Sequence, residues 1–286
     1  MELSLQAIRD RVSVRSYDGA PPSAEEARAL EAAFAEAVPG PFGRRPRFAL
    51  VAREDAGLGK GRKLGTYGVI AGAATFLVGI VEPGELACVD FGYAFEGLIL
   101  RATELGLGTC WVGGIFDRGL VKRFLGASGR ELAPALSPVG RAADGSKIRD
   151  QLIRRGAGSG SRKPADELFF EAGPEGAWLP LAEAGAWAEL LEAVRFGPSA
   201  SNKQPWRLLL DRRGGPARLH LVLEESRFYN NMLGAIKLQE LDMGIAMRHV
   251  EVAAAAAKLG GAWKRLEAPP VALGGSRRYI ASWISR

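Results

Sequence analysis

Between Gly197 and Trp206 the chain reads Gly-Pro-Ser-Ala-Ser-Asn-Lys-Gln-Pro-Trp, offering two hydroxyls and two amides between stiffening prolines. The stretch follows an apolar helical run (187–196) and precedes a strand-like run, Leu208 to Leu210, so it is a loop between regular elements. Small polar groups at such a junction suit a flat ligand edge carrying donors and acceptors; an ordinary Pro/Ser/Asn turn has the same composition. The candidates there are Pro198, Ser199, Ala200, Ser201, Asn202 and Gln204. Far upstream, Arg11, Ser13 and Arg15 alternate with Val12 and Val14. In an extended segment that period sends the polar three to one face and the valines to the core. Two guanidiniums flanking a hydroxyl make a phosphate grip, although a half-buried edge strand with a solvated face shows the same pattern. Gly113 and Gly114 end another strand-like run, where paired glycines let backbone amides approach a ligand or simply make a turn. Arg154 to Lys163 (RRGAGSGSRK) resembles a flexible linker whose basic ends, Arg162 and Lys163 among them, suit a segment folding back over an anion.

The elements that must position these groups follow from periodicity. Leu3 to Arg9 is expected to be a short helix, and Ser23-Ala24-Glu25-Glu26 has the form of a capping box opening a helix to about Ala37. Strands are expected over 48–52, 75–81, 109–112 and 135–140, the first two joined by a glycine-rich connection. Asp90 to Leu107 is a long helix with apolar residues at 91, 94, 95, 98, 102 and 105. Its remaining faces carry Gly92, Tyr93, Gly97, Ile99 and Leu100, so it is apolar nearly all round. Such a helix is buried, and its glycines admit a second helix at close range.

Composition narrows the function classes. At 286 residues, 47% hydrophobic and 24% charged, the chain is an ordinary globular one with a substantial core. The longest nearly apolar run, Val69 to Val81, is too short to span a bilayer, and no signal sequence opens the chain; a cytoplasmic location is expected. Cys88 and Cys110 lack metal-ligand spacing and lie in apolar surroundings, as buried free thiols do; His220 and His249 stand alone, which supports neither a zinc site nor a Ser-His triad. The net charge of +6 is scattered, without the basic helix or aromatic-interleaved strand of a nucleic-acid binder, and a phosphate-bearing small molecule needs only a few of these cations.

The second half repeats the first. Pro39 to Pro46 spans seven positions, as does Pro198 to Pro205, and each loop precedes an Arg-containing strand. Asp90-Phe91-Gly92-Tyr93-Ala94-Phe95 parallels Asp242-Met243-Gly244-Ile245-Ala246-Met247, and in each copy a tryptophan (Trp111, Trp263) follows the aspartate by 21 positions. Two matched segments in the same order predict a duplication, with the central helices packed across a pseudo-twofold axis. The halves are expected at 1–175 and 176–286. Their chemistry differs: the first loop has Gly40, Pro41, Phe42, Gly43 and Arg45 where the second has Ser199, Ala200, Ser201, Asn202 and Gln204. The Arg-Val-Ser-Val-Arg run likewise occurs only in the first half. A site shared across the axis would then exist once per chain.

These motifs resemble the nitroreductase-like family of flavoproteins, and in particular its branch of single chains that mimic the usual homodimer. The match runs through Arg11 to Tyr17, Leu105 to Gly113, Ser161 to Leu168 and, most specifically, the Pro-Ser-x-x-Asn-x-Gln-Pro-Trp signature at Pro198 to Trp206. Val12 stands where many members carry a second basic residue, and the chain ends soon after its last strand, without the arm that dimeric relatives exchange. The resemblance implies an α+β nitroreductase-like fold: two duplicated halves, each a mainly antiparallel sheet flanked by helices, forming a pseudo-dimer in a monomeric chain.

It also implies bound FMN, reduced by NADH or NADPH and reoxidised in ping-pong fashion by a small nitro, quinone or similar acceptor. Arg11, Ser13, Arg162 and Lys163 would hold the phosphate. Arg15 would sit at the N1 and O2 edge, the amides of Gly113 and Gly114 at the N5 side, and Ser199, Asn202 and Gln204 at the ring or ribityl edge. No side chain is assigned as acid or base, since solvent can supply the proton. A flavin-binding sensor or store without turnover fits the same motifs.

Overall fold

The computed structural model describes residues 2–36, 39–53, 70–114, 116–127, 129–144, 161–174, 177–226, 233–267 and 273–285. The glycine-rich connection at 54–69 and positions 154–160 of the basic segment lie outside them. After α1 (Leu5–Asp10), helix α2 (Ala24–Ala35) opens with the expected capping box: Ser23 Oγ accepts the Glu26 N–H at 3.2 Å and the Glu26 carboxylate accepts the Ser23 N–H at 2.6 Å.

The first sheet contains β1 (Arg47–Ala52), β2 (Thr75–Ile80), β3 (Gly108–Thr109) and β4 (Leu136–Gly140), in the order β1-β2-β4-β3 and antiparallel throughout. β3 is shorter than its sequence suggests. The Cys110 N–H is taken by Ser137 Oγ at 3.0 Å in place of a ladder bond, and pairing resumes only where Val112 meets Leu136. The alternation at 11–15 is also broken. Val14 is buried, but Val12 is 45% exposed and Arg11 is buried, because Arg11 is the C-cap of α1 and extended pairing starts only at Ser13.

The second sheet combines β5 (Phe169–Ala172), β6 (Trp178–Pro180), β7 (Trp206–Asp211), β8 (Arg218–Glu224), β9 (Gly261–Lys264) and β10 (Arg277–Ser285), in the order β6-β5-β7-β8-β10-β9. Its pairs are antiparallel except β5 with β7. β5 precedes residue 176, so the chain joins the second sheet directly after the basic segment. Between the sheets run α3 (Ala87–Glu104) and, after α4 (Arg118–Phe124), α5 (Ala165–Leu168) and α6 (Ala188–Arg195), the long α7 (Leu238–Ala256). Leu238 and Leu241 of α7 belong to the first sheet's core, while Val89, Tyr93 and Leu100 of α3 belong to the second's.

The duplication is visible where α3 meets α7. Gly92 and Gly244 each stand two residues past the aspartate of their own helix. A Cβ on Gly92 would collide with the Leu241 carbonyl, and one on Gly244 with the Val89 carbonyl. Leu241 and Val89 are themselves equivalent, each directly before its aspartate, so the contact is the same in both directions, as at a twofold interface. One turn on, the equivalent positions are filled differently: the Arg248 guanidinium covers Gly97, and Glu96 meets His249 at 2.9 Å. Both members of that pair are fully buried, and the remaining polar atoms are bonded to Trp111 Nε1 (2.7 Å) and the Ala193 carbonyl (2.7 Å). The pair ties α3, α6, α7 and the strand end at Trp111 into one network.

His220 is the other buried imidazole. Its Nδ1 lies 2.7 Å from Ser282 Oγ, and its Nε2 lies 3.8 Å from Asp211. This has the order of a hydrolytic triad but not its chemistry, since Ser282 is fully buried and its hydroxyl also bonds Tyr279. Burial pushes the imidazole down to about 4, against a weaker upward pull from Asp211. Its folded value is therefore below its unfolded one, and the unfolded chain binds the extra proton as pH falls from about 6.5 toward 4. Stability contributed by neutral His220 is present above that window and is lost through it, by roughly 2–3 kcal/mol between pH 7 and 4.5. Urea midpoints at the two pH values should therefore differ more in the parent protein than in His220→Asn; equal differences would refute the assignment.

Candidate functional site

The loop before β7 is held in a costly conformation. Ser201, Asn202 and Gln204 all have positive φ (48°, 54° and 46°), a region disfavoured by roughly 1–2 kcal/mol for residues other than glycine. Several bonds over-determine it. Ala200 N–H donates to Asp242 Oδ1 (2.9 Å), Gln204 N–H to Ser199 Oγ (2.9 Å) and Asn202 N–H to the Ser199 carbonyl (2.9 Å). From behind, Arg207 Nη1 donates to the carbonyls of Gln204 (3.0 Å) and Trp206 (2.7 Å), while Nη2 pairs with Glu224 at 2.6 Å. Strain retained at this density of support is typical of binding sites.

What the loop holds is the basic segment. Arg162 donates through Nη1 to Asn202 Oδ1 (2.8 Å) and through Nη2 to the Phe196 carbonyl (3.1 Å). Asn202 Nδ2 donates to the Ser161 carbonyl (2.8 Å), and the Lys163 N–H donates to Gln204 Oε1 (3.1 Å). The two amides expected to face a ligand are thus engaged with residues 161–163. Burial pushes the Arg162 guanidinium down to about 10, and the nearby cations Arg11 and Arg195 push it the same way. The Lys163 ammonium is also lowered, by burial first and then by Arg207. A cluster of like charges near a clamped arginine is a site suited to an anion.

The other expected residues lie along β3 and at the strand end that follows it. Val14 N–H bonds the Thr109 carbonyl (2.8 Å) and Ser13 pairs with Thr109, so Arg11 to Arg15 lie along β3. Gly108 has no room for a side chain there, since a Cβ would come within 2.7 Å of Val14. Arg15 Nη1 is buried and has no hydrogen-bond partner among the described residues. A Cβ on Gly113 would touch Leu238 of α7 at 3.0 Å, whereas one on Gly114 would meet nothing within 4 Å. Asp242, one turn along α7, bonds Ala200 and so returns to the loop. The first half thus brings Arg162 and Lys163 onto the loop, sets Arg11 near Arg162 and packs Gly113 against α7.

The symmetry-related place is built differently. Gly113 follows Trp111 by two residues, and the residue that so follows Trp263 is Arg265, paired with Glu85 before α3 at 2.8 Å. An ion pair stands where Gly113 brings none. The first loop meets Asp90 with two backbone donors, Phe42 and Arg44 (both 2.8 Å), whereas Asp242 has Oδ2 buried and without a hydrogen-bond partner among the described residues. Burial alone pushes the Asp242 carboxyl well above the usual range, against the single bond from Ala200. Asp242 and Arg207 were not legible as loop supports. The repeat marked Asp242 only as a helix position and Arg207 only as part of an Arg-containing strand.

Among the described residues no group of three or more His, Cys, Asp or Glu could hold a metal, and no helix is long and apolar enough to cross a membrane. Neither cysteine is in a disulfide and both are buried, with the Cys88 thiol pushed up to about 12 by burial. Residues 4–254 match the family model described as "Putative TM nitroreductase". The chain belongs to this nitroreductase family. A "putative nitroreductase" from Thermotoga maritima MSB8 aligns over 100% of this chain and 93% of its own, at TM-score 0.56 and 16% identity, and so shares the α+β fold with its two sheets. A nitroreductase with bound FMN from Bacteroides fragilis aligns over 49% of this chain and 89% of its own (25% identity, TM-score 0.40). Another, in complex with FMN from Desulfovibrio desulfuricans, aligns over 49% and 86% (25% identity, TM-score 0.39). No curated protein matches the chain significantly.

Proposed function

We propose that this family member is an FMN-dependent NAD(P)H oxidoreductase with one flavin site per chain, built across the pseudo-twofold between halves 1–175 and 176–286 of a monomer. The observation that carries the reading is Arg162, set beside Arg11 and Arg195 and clamped by Asn202 from the other half. A phosphate dianion would offset the charge of Arg162 and Arg11, Arg195 being paired with Glu192 at 2.6 Å, and Arg15 adds a buried donor in want of an acceptor. The residues present therefore fit the cofactor.

FMN, when bound, would supply the redox chemistry between NADH or NADPH and a small nitro or quinone acceptor, in ping-pong order. The chain's own residues bind and orient. Arg11, Ser13, Arg162 and Lys163 hold the phosphate, and Arg15 places a fixed cation where reduction adds negative charge. Gly113 and Gly114 supply backbone donors. Pro198, Ser199, Ala200 and Ser201 form the wall from the second half, while Asn202 and Gln204 act through Arg162 and Lys163, to which they are bonded.

Purified protein should be yellow, should hold one FMN per chain, and should oxidise NADPH or NADH when a quinone is supplied. The Arg265–Glu85 pair supports a stoichiometry of one. Two flavins per chain would refute the single site, and protein that takes up no added FMN would refute the reading as a whole.

A further inference from the structure

Arg118, in the first turn of α4, has no part in the roles above, yet its position is defined. Its Nη2 donates to the Gly113 carbonyl at 2.7 Å, its guanidinium carbon lies 4.3 Å from the centre of the Phe116 ring, and its Nε is buried without a hydrogen-bond partner. Among the described residues, the only hydrogen bond formed by this partly desolvated fork is to the backbone of the glycine pair. The Gly113 carbonyl and the Gly114 N–H belong to one planar, trans peptide unit and point in opposite directions. Fixing the carbonyl therefore fixes the N–H. Nothing lies within 4 Å of a Cβ built at Gly114, and its N–H makes no hydrogen bond to another described residue, so this donor is available to a ligand. Without Arg118, a Gly-Gly peptide could turn over at little cost.

We infer that Arg118 is a positioning residue: by holding the Gly113 carbonyl it aims the Gly114 N–H at the flavin and places a fixed cation one peptide away from it. The inference rests on the flavin reading above. A donor aimed before reaction stabilises charge that develops on reduction, and a cation on the carbonyl side polarises the same peptide. The first effect needs the hydrogen bond; the second needs the charge.

Three variants of the FMN-loaded protein separate these contributions. Arg118→Met removes both, Arg118→Gln keeps a neutral N–H donor, and Arg118→Lys keeps the charge without the fork. FMN affinity should stay within threefold of the parent in all three, because the phosphate grip is untouched. Arg118→Met should slow flavin reduction by NADPH about tenfold and shift the oxidised–reduced equilibrium about tenfold toward oxidised, about 30 mV in midpoint potential for two electrons. Gln and Lys should each recover part of the loss. Parent-like rate and potential in Arg118→Met would overturn the role of Arg118 while leaving the flavin site standing. If circular dichroism shows the Met variant unfolded, the same two quantities in the Gln and Lys variants decide, and parent-like values in both overturn it. Parent protein that binds no FMN overturns this inference and the flavin reading together.

Discussion

Arg162→Ala is expected to weaken FMN binding by about 30- to 150-fold, the loss of roughly 2–3 kcal/mol for charge-assisted hydrogen bonds to a dianion. The apoprotein should lose little stability. Arg162 lies near the cations Arg11 and Arg195, which disfavour its charge, and relief of that repulsion offsets part of the bonds lost to Asn202 and Phe196. Affinity and stability should therefore separate, which a purely structural arginine would not allow. Arg162→Lys should recover only part of the affinity, since an ammonium cannot serve Asn202, Phe196 and a phosphate through one planar fork. FMN titrations followed by flavin fluorescence, with urea unfolding of the apoprotein, measure both quantities. An Arg162→Ala dissociation constant within threefold of the parent value would remove Arg162 from the phosphate grip.

The second large effect concerns the axis itself. Gly244→Ala should destabilise the protein by about 3 kcal/mol or more, despite a helix-propensity gain of roughly 1 kcal/mol. The added methyl would meet backbone, the Val89 carbonyl and the Tyr93 amide, which can yield only if α3 and α7 separate. Separation would loosen the contacts that hold Leu238 against Gly113, so flavin affinity should fall as well. Gly97→Ala is the control. Its methyl would come within 3.3 Å of the Arg248 guanidinium, a side chain and not backbone, so the variant should lose far less stability than Gly244→Ala. Equal urea midpoints for Gly244→Ala and the parent would show that the axis is not packed backbone to backbone.

Both predictions depend on pairs that are remote in sequence, and this divides what could be read early from what could not. The capping box of α2, the all-round apolar α3 and the Asp-x-Gly repeat on both central helices were legible, because each depends on near neighbours and periodicity. The same logic failed at Val12, where alternation is meaningful only if the chain is already extended, and the α1 C-cap delays that to Ser13. It failed again at β3, where one hydroxyl, Ser137, replaces a ladder bond.

By itself the sequence determined which groups are present: an asymmetric pair of loops in a symmetric frame, with cations in one half and amides in the other. Side-chain type and local spacing are enough for that. Only the tertiary structure decided how they combine. Asn202 and Gln204 have their amides bonded to Ser161, Arg162 and Lys163, Arg265 with Glu85 occupies the symmetry-related place, and Arg118 holds the Gly113 carbonyl. An amide or a guanidinium carries several donors or acceptors, and its sequence does not say which partner takes them; that depends on which distant backbone the fold brings within 3 Å.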